Sequence, residues 1–140
     1  MPLVELNQAK ARVLVVDDSP ETRLYFRRLL ELDRYLVETA GNGCEALQVV
    51  RDGFAPEVVL LDMQMPDMDG LETLRLLRSL QPDLRVVICS GEEDPEKIRQ
   101  ALLLGARTYL VKPVPHLYLS AALEGCLAQD SEKPLNGYPC

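Results

Sequence analysis

The chain has 140 residues, of which 47% are hydrophobic and 26% are charged, and this composition is typical of a single folded domain rather than of a disordered segment. Its net charge of −7 argues against a nucleic-acid-binding surface, because binding to phosphates depends on clustered lysine and arginine. No apolar run approaches the length of a membrane span and no basic, apolar leader is present, so we expect a cytoplasmic protein without a membrane partner.

Five apolar runs predict five β-strands, and a helical pattern follows each of them. The runs lie at residues 12–16, 35–40, 58–61, 84–89 and 108–111. This alternation predicts an α/β fold, in which a parallel sheet is covered by helices on both faces. We expect residues 1–129 to form this domain. Residues 130–140, rich in proline, glycine and charge, are expected to be a flexible tail or the start of a linker.

The first helix is predicted to begin after Ser19, which is a typical N-cap, with Pro20 at the first helical position. Its expected apolar face follows roughly helical spacing, with Tyr25 or Arg28 lying between the leucines. This face is predicted to comprise Leu24, Leu29 and Leu32.

The fourth helix carries more apolar residues than one buried face requires. Its expected core face comprises Ile98, Ala101, Leu102 and Gly105. The next residues, Leu103 and Leu104, extend the apolar run beyond that face. Two interpretations stay open: an interface for a second copy of the chain or for an effector, or one additional buried leucine.

Polar residues follow several of the predicted strands at their carboxyl ends. In a parallel sheet these ends share one edge, which is where open α/β sheets bind ligands. Residues from distant parts of the sequence are therefore expected to converge there, namely Asp17, Asp18, Asp62, Ser90 and Lys112.

Three clustered carboxylates repel one another and need a cation. Mg²⁺ suits them because it prefers hard oxygen ligands and is often held by a few carboxylates together with phosphate oxygens. A carboxylate can also attack phosphorus to give an aspartyl phosphate, while a metal ion and a lysine neutralise charge on the transferring group. A hydroxyl can bond a further phosphoryl oxygen. The edge is therefore a candidate site for phosphoryl transfer.

The stretch Leu-Leu-Asp-Met-Gln-Met-Pro-Asp-Met-Asp-Gly at residues 60–70 resembles the phosphoacceptor region of receiver domains in two-component response regulators, of the chemotaxis-regulator type. The resemblance covers about residues 11–128. It implies a flavodoxin-like, doubly wound sheet of five parallel strands in the order 2-1-3-4-5, with five helices. It also implies a signalling switch rather than an enzyme, limited to self-phosphorylation and slow autodephosphorylation.

The resemblance implies a role for each residue at this edge. Asp62 matches the phosphoacceptor, which takes a phosphoryl group from a histidine kinase or a phosphotransfer protein. Asp17 and Asp18 match the acidic pair that binds Mg²⁺ together with Asp62 and the backbone carbonyl of Gln64. Gln64 and Glu92 occupy positions that tune phosphoryl lifetime in the family.

The family's catalytic lysine, its cis-proline and its two switch residues also have counterparts in this sequence. Lys112 corresponds to its lysine, and the bond from Lys112 to Pro113 to its usually cis peptide. Ser90 and Tyr109 fall at the hydroxyl and aromatic switch positions. Phosphorylation is expected to draw Ser90 inward and to let Tyr109 rotate into the vacated space. The surface of the fourth helix, fifth strand and fifth helix would then change for an effector or an output domain.

Other classes stay open. A phosphatase of the haloacid dehalogenase type would need its nucleophile after the first strand and a second aspartate two residues later, whereas Asp17 and Asp18 are adjacent. A flavodoxin-like cofactor binder would need a loop rich in hydroxyls and glycine to cradle phosphate. The chain could also be the N-terminal receiver of a longer regulator with an output domain.

Overall fold

The computed structural model describes residues 9–129, in which five strands alternate with five helices. The strands are β1 (Arg12–Val16), β2 (Leu36–Ala40), β3 (Val58–Leu61), β4 (Arg85–Ser90) and β5 (Thr108–Val111). The helices are α1 (Pro20–Leu32), α2 (Gly43–Arg51), α3 (Gly70–Leu80), α4 (Pro95–Leu103) and α5 (His116–Gln129). Within this part of the chain, no helix is both long and apolar enough to cross a membrane. The tail expected at residues 130–140 lies outside the described residues.

The five strands form one parallel sheet in the order β2-β1-β3-β4-β5, which confirms the predicted fold class and topology. The register brings the central strands to the same level, because Val16 lies opposite Leu61. The amide of Asp62 continues the ladder by donating to the Val16 carbonyl at 3.0 Å. The acids that follow β1 and β3 therefore lie side by side at the carboxyl edge of the sheet.

Helices cover both faces of the sheet, and the central strands are buried on each side. In β1, Leu14 and Val16 point toward the face covered by α2, α3 and α4, whereas Val13 and Val15 point toward α1 and α5. This two-sided burial explains why the strands are continuous apolar runs rather than alternating patterns.

The predicted core face of α1 is wrong for two of its three leucines. Phe26 and Leu30 are the buried residues of this helix. Leu24 is 47% exposed and Leu32 is 68% exposed, while Leu29 is only partly buried. The helix carries two apolar stripes, and the stripe of Phe26 and Leu30 packs on the sheet. The outer stripe lies on the surface.

The predicted core face of α4 is wrong in part. Ala101 is fully buried and Ile98 is half-buried, but Leu102 is 46% exposed. Leu103, which lies beyond the predicted face, is 71% exposed. Gly105 does not extend the core face, because it follows the C-cap residue Leu104 with a φ of +107°. Glycine adopts this left-handed conformation without the strain of a side chain, so it ends the helix. Leu104, at 37% exposure, joins the exposed leucines.

Candidate functional site

Asp62 follows β3 directly, and its carboxylate is held from two sides. Oδ1 accepts a hydrogen bond from the Gln64 amide at 3.1 Å. Oδ2 accepts one from the Lys112 ammonium at 3.2 Å. The side chain is only 7% exposed. The sheet edge thus presents a nearly buried carboxylate whose orientation is fixed.

Asp17, at the end of β1, is held in the same way. Its Oδ1 accepts from the Ser19 amide at 2.9 Å and its Oδ2 from Lys112 at 2.6 Å. Lys112 follows β5, and its amide donates to the Ser90 carbonyl at 2.9 Å, which continues the β4–β5 ladder. A single ammonium therefore lies between two carboxylates from different strands.

The charges at this site are unbalanced. Burial opposes the charged form of Lys112, but the hydrogen bond with Asp17 and the negative charges of Asp62 and Asp17 outweigh it, so the pKa of Lys112 is raised. Burial also raises the pKa of Asp17, and the hydrogen bonds from Lys112 and Ser19 offset this only in part. Two buried carboxylates share one cation, and an additional positive charge would stabilise the pair.

A third carboxylate completes an oxygen cluster. Ligand oxygens of Asp17, Asp18 and Asp62 all lie within 4.8 Å of one another, and Asp18 is the exposed member. The donor set is entirely carboxylate oxygen, which fits Mg²⁺ rather than a metal that prefers sulfur or imidazole. An exposed side also leaves room for water and a phosphoryl group. The backbone carbonyl of Gln64 stays a predicted ligand, on the loop whose amide holds Asp62.

Ser90 and Tyr109 both hydrogen-bond to the backbone of one residue, Glu92. Ser90 is fully buried at the end of β4, and its hydroxyl accepts from the Glu92 amide at 3.2 Å. The Tyr109 hydroxyl donates to the Glu92 carbonyl at 2.8 Å, and the Tyr109 ring packs against the core beneath α4. The aromatic ring is thus already partly inside in this structure, and the two predicted switch residues share a loop segment.

The side chain of Glu92 holds that loop, which we call the β4–α4 loop (residues 91–94). Its Oε2 accepts from the amides of Glu93 and Asp94 at 3.1 and 3.3 Å. Its Oε1 pairs with Lys97 at 3.0 Å, and this hydrogen bond is the largest cause of the lowered pKa of Glu92. The Glu92–Lys97 contact was missed by sequence reasoning, because residues five apart straddle a loop and a helix start without a periodic pattern.

Arg23 was also missed. Its Nη1 donates to the backbone carbonyl of Asp17 at 2.6 Å. An arginine on the second turn of a helix has many surface roles, and only the fold places it beside the acidic pair. Two further predictions concern other parts of the chain. The Lys112–Pro113 peptide is cis, as predicted. Leu103 is the last residue of α4 and Leu104 is its C-cap.

Residues 13–124 match the family model of the response regulator receiver domain. The chain therefore belongs to the response regulator receiver domain family, which acts in two-component signalling, and the resemblance inferred from the sequence is confirmed. The Response regulator MprA of Mycobacterium sp. (strain KMS) is 38% identical over 120 residues, which are 86% of this chain and 52% of that protein. The Response regulator MprA of Mycobacterium leprae is 41% identical over 103 residues, covering 73% and 44%. The chain spans about half the length of these relatives.

Solved structures agree with this assignment. The chemotaxis protein CheY4 of Vibrio cholerae superposes with a TM-score of 0.79 at 32% identity, covering 84% of this chain and 99% of that one. A response regulator receiver domain protein of Clostridium thermocellum gives 0.81 at 32% identity, covering 86% and 97%. The BeF₃-activated DrrB receiver domain gives 0.75 at 26% identity, covering 84% and 97%.

Proposed function

We propose that this domain is a phosphorylation switch, in which Asp62 accepts a phosphoryl group from a phosphohistidine of a histidine kinase or phosphotransfer protein, with Mg²⁺ as cofactor. One observation carries the proposal: the nearly buried Asp62 carboxylate is bonded to Lys112 and lies within a cluster of three acids. A lone buried acid would be protonated or paired. An acidic surplus around a lysine instead suits a metal ion and a phosphoryl group.

In the proposed reaction, an oxygen of Asp62 attacks phosphorus. The new P–O bond forms as the P–N bond breaks, and the imidazole nitrogen of the donor takes the electron pair and a proton from water. The Lys112 ammonium neutralises charge on the phosphoryl oxygens, and the Gln64 amide keeps Asp62 oriented for attack. Mg²⁺ would be held by Asp17, Asp18, Asp62 and the Gln64 carbonyl, and supplies further charge neutralisation when bound.

The proposed output passes through the β4–α4 loop. The Ser90 hydroxyl is expected to move toward the phosphoryl group and to donate a hydrogen bond to one of its oxygens. This movement would alter the hydrogen bond that Ser90 accepts from the Glu92 amide. Because the Glu92 carbonyl also holds the Tyr109 hydroxyl, a shift of Glu92 moves Tyr109 and the adjoining surface of α4, β5 and α5. The phosphoryl group thereby biases an element with two arrangements.

An apolar stripe on α1 supports a protein phosphodonor. Leu24 and Tyr25 are each 47% exposed, and the Tyr25 hydroxyl donates to the Val114 carbonyl at 3.2 Å, so the stripe adjoins the loop after β5. A groove of about 370 Å³ runs between these elements and is lined in part by Lys112. Exposed apolar residues beside the reacting group are typical of a docking surface.

The alternatives are weaker on the same geometry. The adjacent Asp17 and Asp18 do not provide the nucleophile and acid spacing of a haloacid dehalogenase phosphatase. The curated relatives are about twice as long as the aligned region, which supports an output domain that receives the signal, in the same polypeptide or in another.

The phosphorylation test uses a small phosphodonor, acetyl phosphate, with Mg²⁺. Intact mass spectrometry should show one added phosphoryl group, which hydroxylamine removes because it is an acyl phosphate. Asp62→Asn should abolish the addition. Asp67→Asn is the matched control, since Asp67 is an exposed acid of the same motif, and it should label like the original chain. Equal labelling of Asp62→Asn would refute the assignment.

The interface hypothesis for Leu103 and Leu104 is tested separately. We propose that these exposed leucines of α4 contact a second copy of the chain or an effector once the switch is activated. BeF₃ is used here as the activating mimic, since a DrrB receiver domain has been solved in its BeF₃-activated form, and Mg²⁺ is added because the proposed site binds it. Sedimentation velocity should show self-association, or pull-down an effector contact, that Leu103→Lys reduces. If neither changes with and without BeF₃, the interface is rejected.

A further inference from the structure

The side chain of Arg23 crosses from α1 to the carboxyl edge of the sheet. Its Nη1 donates to the Asp17 carbonyl at 2.6 Å. The same nitrogen lies 3.2 Å from the position that a Cβ on Gly41 would occupy, so the guanidinium also covers the end of β2. One planar cation thus spans the ends of β1 and β2, directly beneath the acidic pair.

Of the two acids, Asp18 depends more on its backbone for orientation. The Asp17 carboxylate is already fixed by the Ser19 amide and by Lys112. The Asp18 carboxylate is exposed and makes no hydrogen bond or ion pair with any residue in the 9–129 range. Its direction is set by the peptide that joins it to Asp17, and the carbonyl of that peptide is the group that Arg23 holds.

We propose that Arg23 is a positioning residue of the metal site, whose hydrogen bond to the Asp17 carbonyl keeps the Asp18 carboxylate turned toward the other two. The proposal rests on the proposed function, since it concerns the same Mg²⁺ site. Partners that orient metal ligands typically contribute tenfold or more to metal affinity. Lysine is a poor replacement, because a single ammonium on a flexible stem cannot span two strand ends as a planar guanidinium does.

The sign of the effect separates positioning from simple electrostatics. A positive charge close to the acids repels Mg²⁺, so a role through charge alone predicts that removal of Arg23 strengthens binding. A positioning role predicts weaker binding despite the lost repulsion. Arg28 provides the matched control, because it is an exposed arginine on the same helix and its removal changes the net charge equally.

The experiment measures Mn²⁺ binding to the purified chain by electron paramagnetic resonance, with Mg²⁺ as competitor. Arg23→Met and Arg23→Lys should each weaken Mg²⁺ binding about tenfold. Arg28→Met should bind as tightly as the original chain or slightly more tightly. A cooperative urea unfolding transition shows that each variant is folded. If Arg23→Met does not fold, the comparison is made with Arg23→Lys alone.

A kinetic measurement accompanies the binding data. With acetyl phosphate, the Arg23 variants should need about tenfold more Mg²⁺ for half-maximal labelling of Asp62, yet should reach the original rate at saturating Mg²⁺. Binding by either Arg23 variant as tight as that of Arg28→Met would overturn the inference. A lower rate at saturating Mg²⁺ with unchanged affinity would also overturn it. If the original chain binds neither metal, the proposed function itself fails at its cofactor, which is a distinct result.

Discussion

Gly70 is the residue at which one added carbon should disturb the site most directly. It is the first residue of α3, and its amide donates to the Met63 carbonyl at 3.0 Å. A Cβ at this position would lie 2.5 Å from the Met63 Cα and 2.8 Å from the Asp62 carbonyl oxygen. Both are backbone atoms, which cannot rotate away as a side chain can. Non-bonded carbons normally pack at about 3.5–4.0 Å, so Gly70→Ala forces the start of α3 and the end of β3 apart by about 1 Å.

Overpacking of this kind costs about 2–3 kcal/mol of unfolding free energy. Urea unfolding followed by circular dichroism should show a lower midpoint at an unchanged m-value. Gly125→Ala is the control, because a Cβ on Gly125 would have no neighbouring atom within 4 Å and the residue is inside α5. This control should be about 0.5–1 kcal/mol more stable than the original chain. If Gly70→Ala is as stable as Gly125→Ala, the close-approach argument is refuted.

Three further predictions address the rest of the domain. Phe26→Ala should lower the free energy of unfolding by about 3–5 kcal/mol, as measured in urea. Leu24→Ala should leave stability and acetyl phosphate labelling unchanged but should slow phosphoryl transfer from a cognate kinase. If the two variants lose the same unfolding free energy, the assigned faces of α1 are contradicted. Burial alone would raise the pKa of Asp33, but hydrogen bonds from α5 side chains outweigh burial and lower this pKa below its ordinary 3.8. The ionised Asp33 therefore stabilises the folded state above about pH 3.8, and this stabilisation is lost as the pH falls below that value. Asp33→Asn should therefore be less stable than the original chain at pH 7, by a margin that shrinks as pH falls below 4 in parallel thermal melts. Burial raises the pKa of Cys89 to about 12, so iodoacetamide should alkylate the exposed Cys44 and spare Cys89 until denaturant is added, as peptide mass spectrometry would show.

The sheet could be predicted from the sequence because strands that are buried on both faces consist of continuous apolar runs. A run such as Val58–Leu61 has few other interpretations, and an acid placed after it must lie at the sheet edge. Parallel pairing of the strands then brings Asp17, Asp62 and Lys112 to the same edge, independently of the loop conformations. The acidic edge of the site was therefore accessible from the pattern of apolar runs and strand ends.

The buried faces of the helices were harder to predict, because helical periodicity identifies an apolar stripe but does not show which of two stripes packs on the sheet. In α1, Leu24 and Phe26 lie on different stripes, and only the packed sheet shows that Phe26 is inside. The loop contacts were inaccessible for a related reason. The side chains of Glu92 and Arg23 hydrogen-bond to backbone atoms of other residues, which have the same chemistry in every sequence.

For the proposed phosphorylation of Asp62, the strength of the contacts that hold the β4–α4 loop becomes important. An acyl phosphate on Asp62 replaces one negative charge by about two. Ser90 would then give up the neutral hydrogen bond that it accepts from the Glu92 amide, worth about 1 kcal/mol, and donate one to an ionised oxygen, worth about 1.5–3 kcal/mol. The gain is small, so it can move only a loop that is weakly held. The Glu92–Lys97 pair adds only modestly to that hold, because the Lys97 side chain is 53% exposed and water screens its charge, while the Glu92 side chain is 17% exposed. For the proposed switch, a fully buried pair here would hold the loop against the phosphoryl group, whereas the partly exposed pair would leave the loop easier to move.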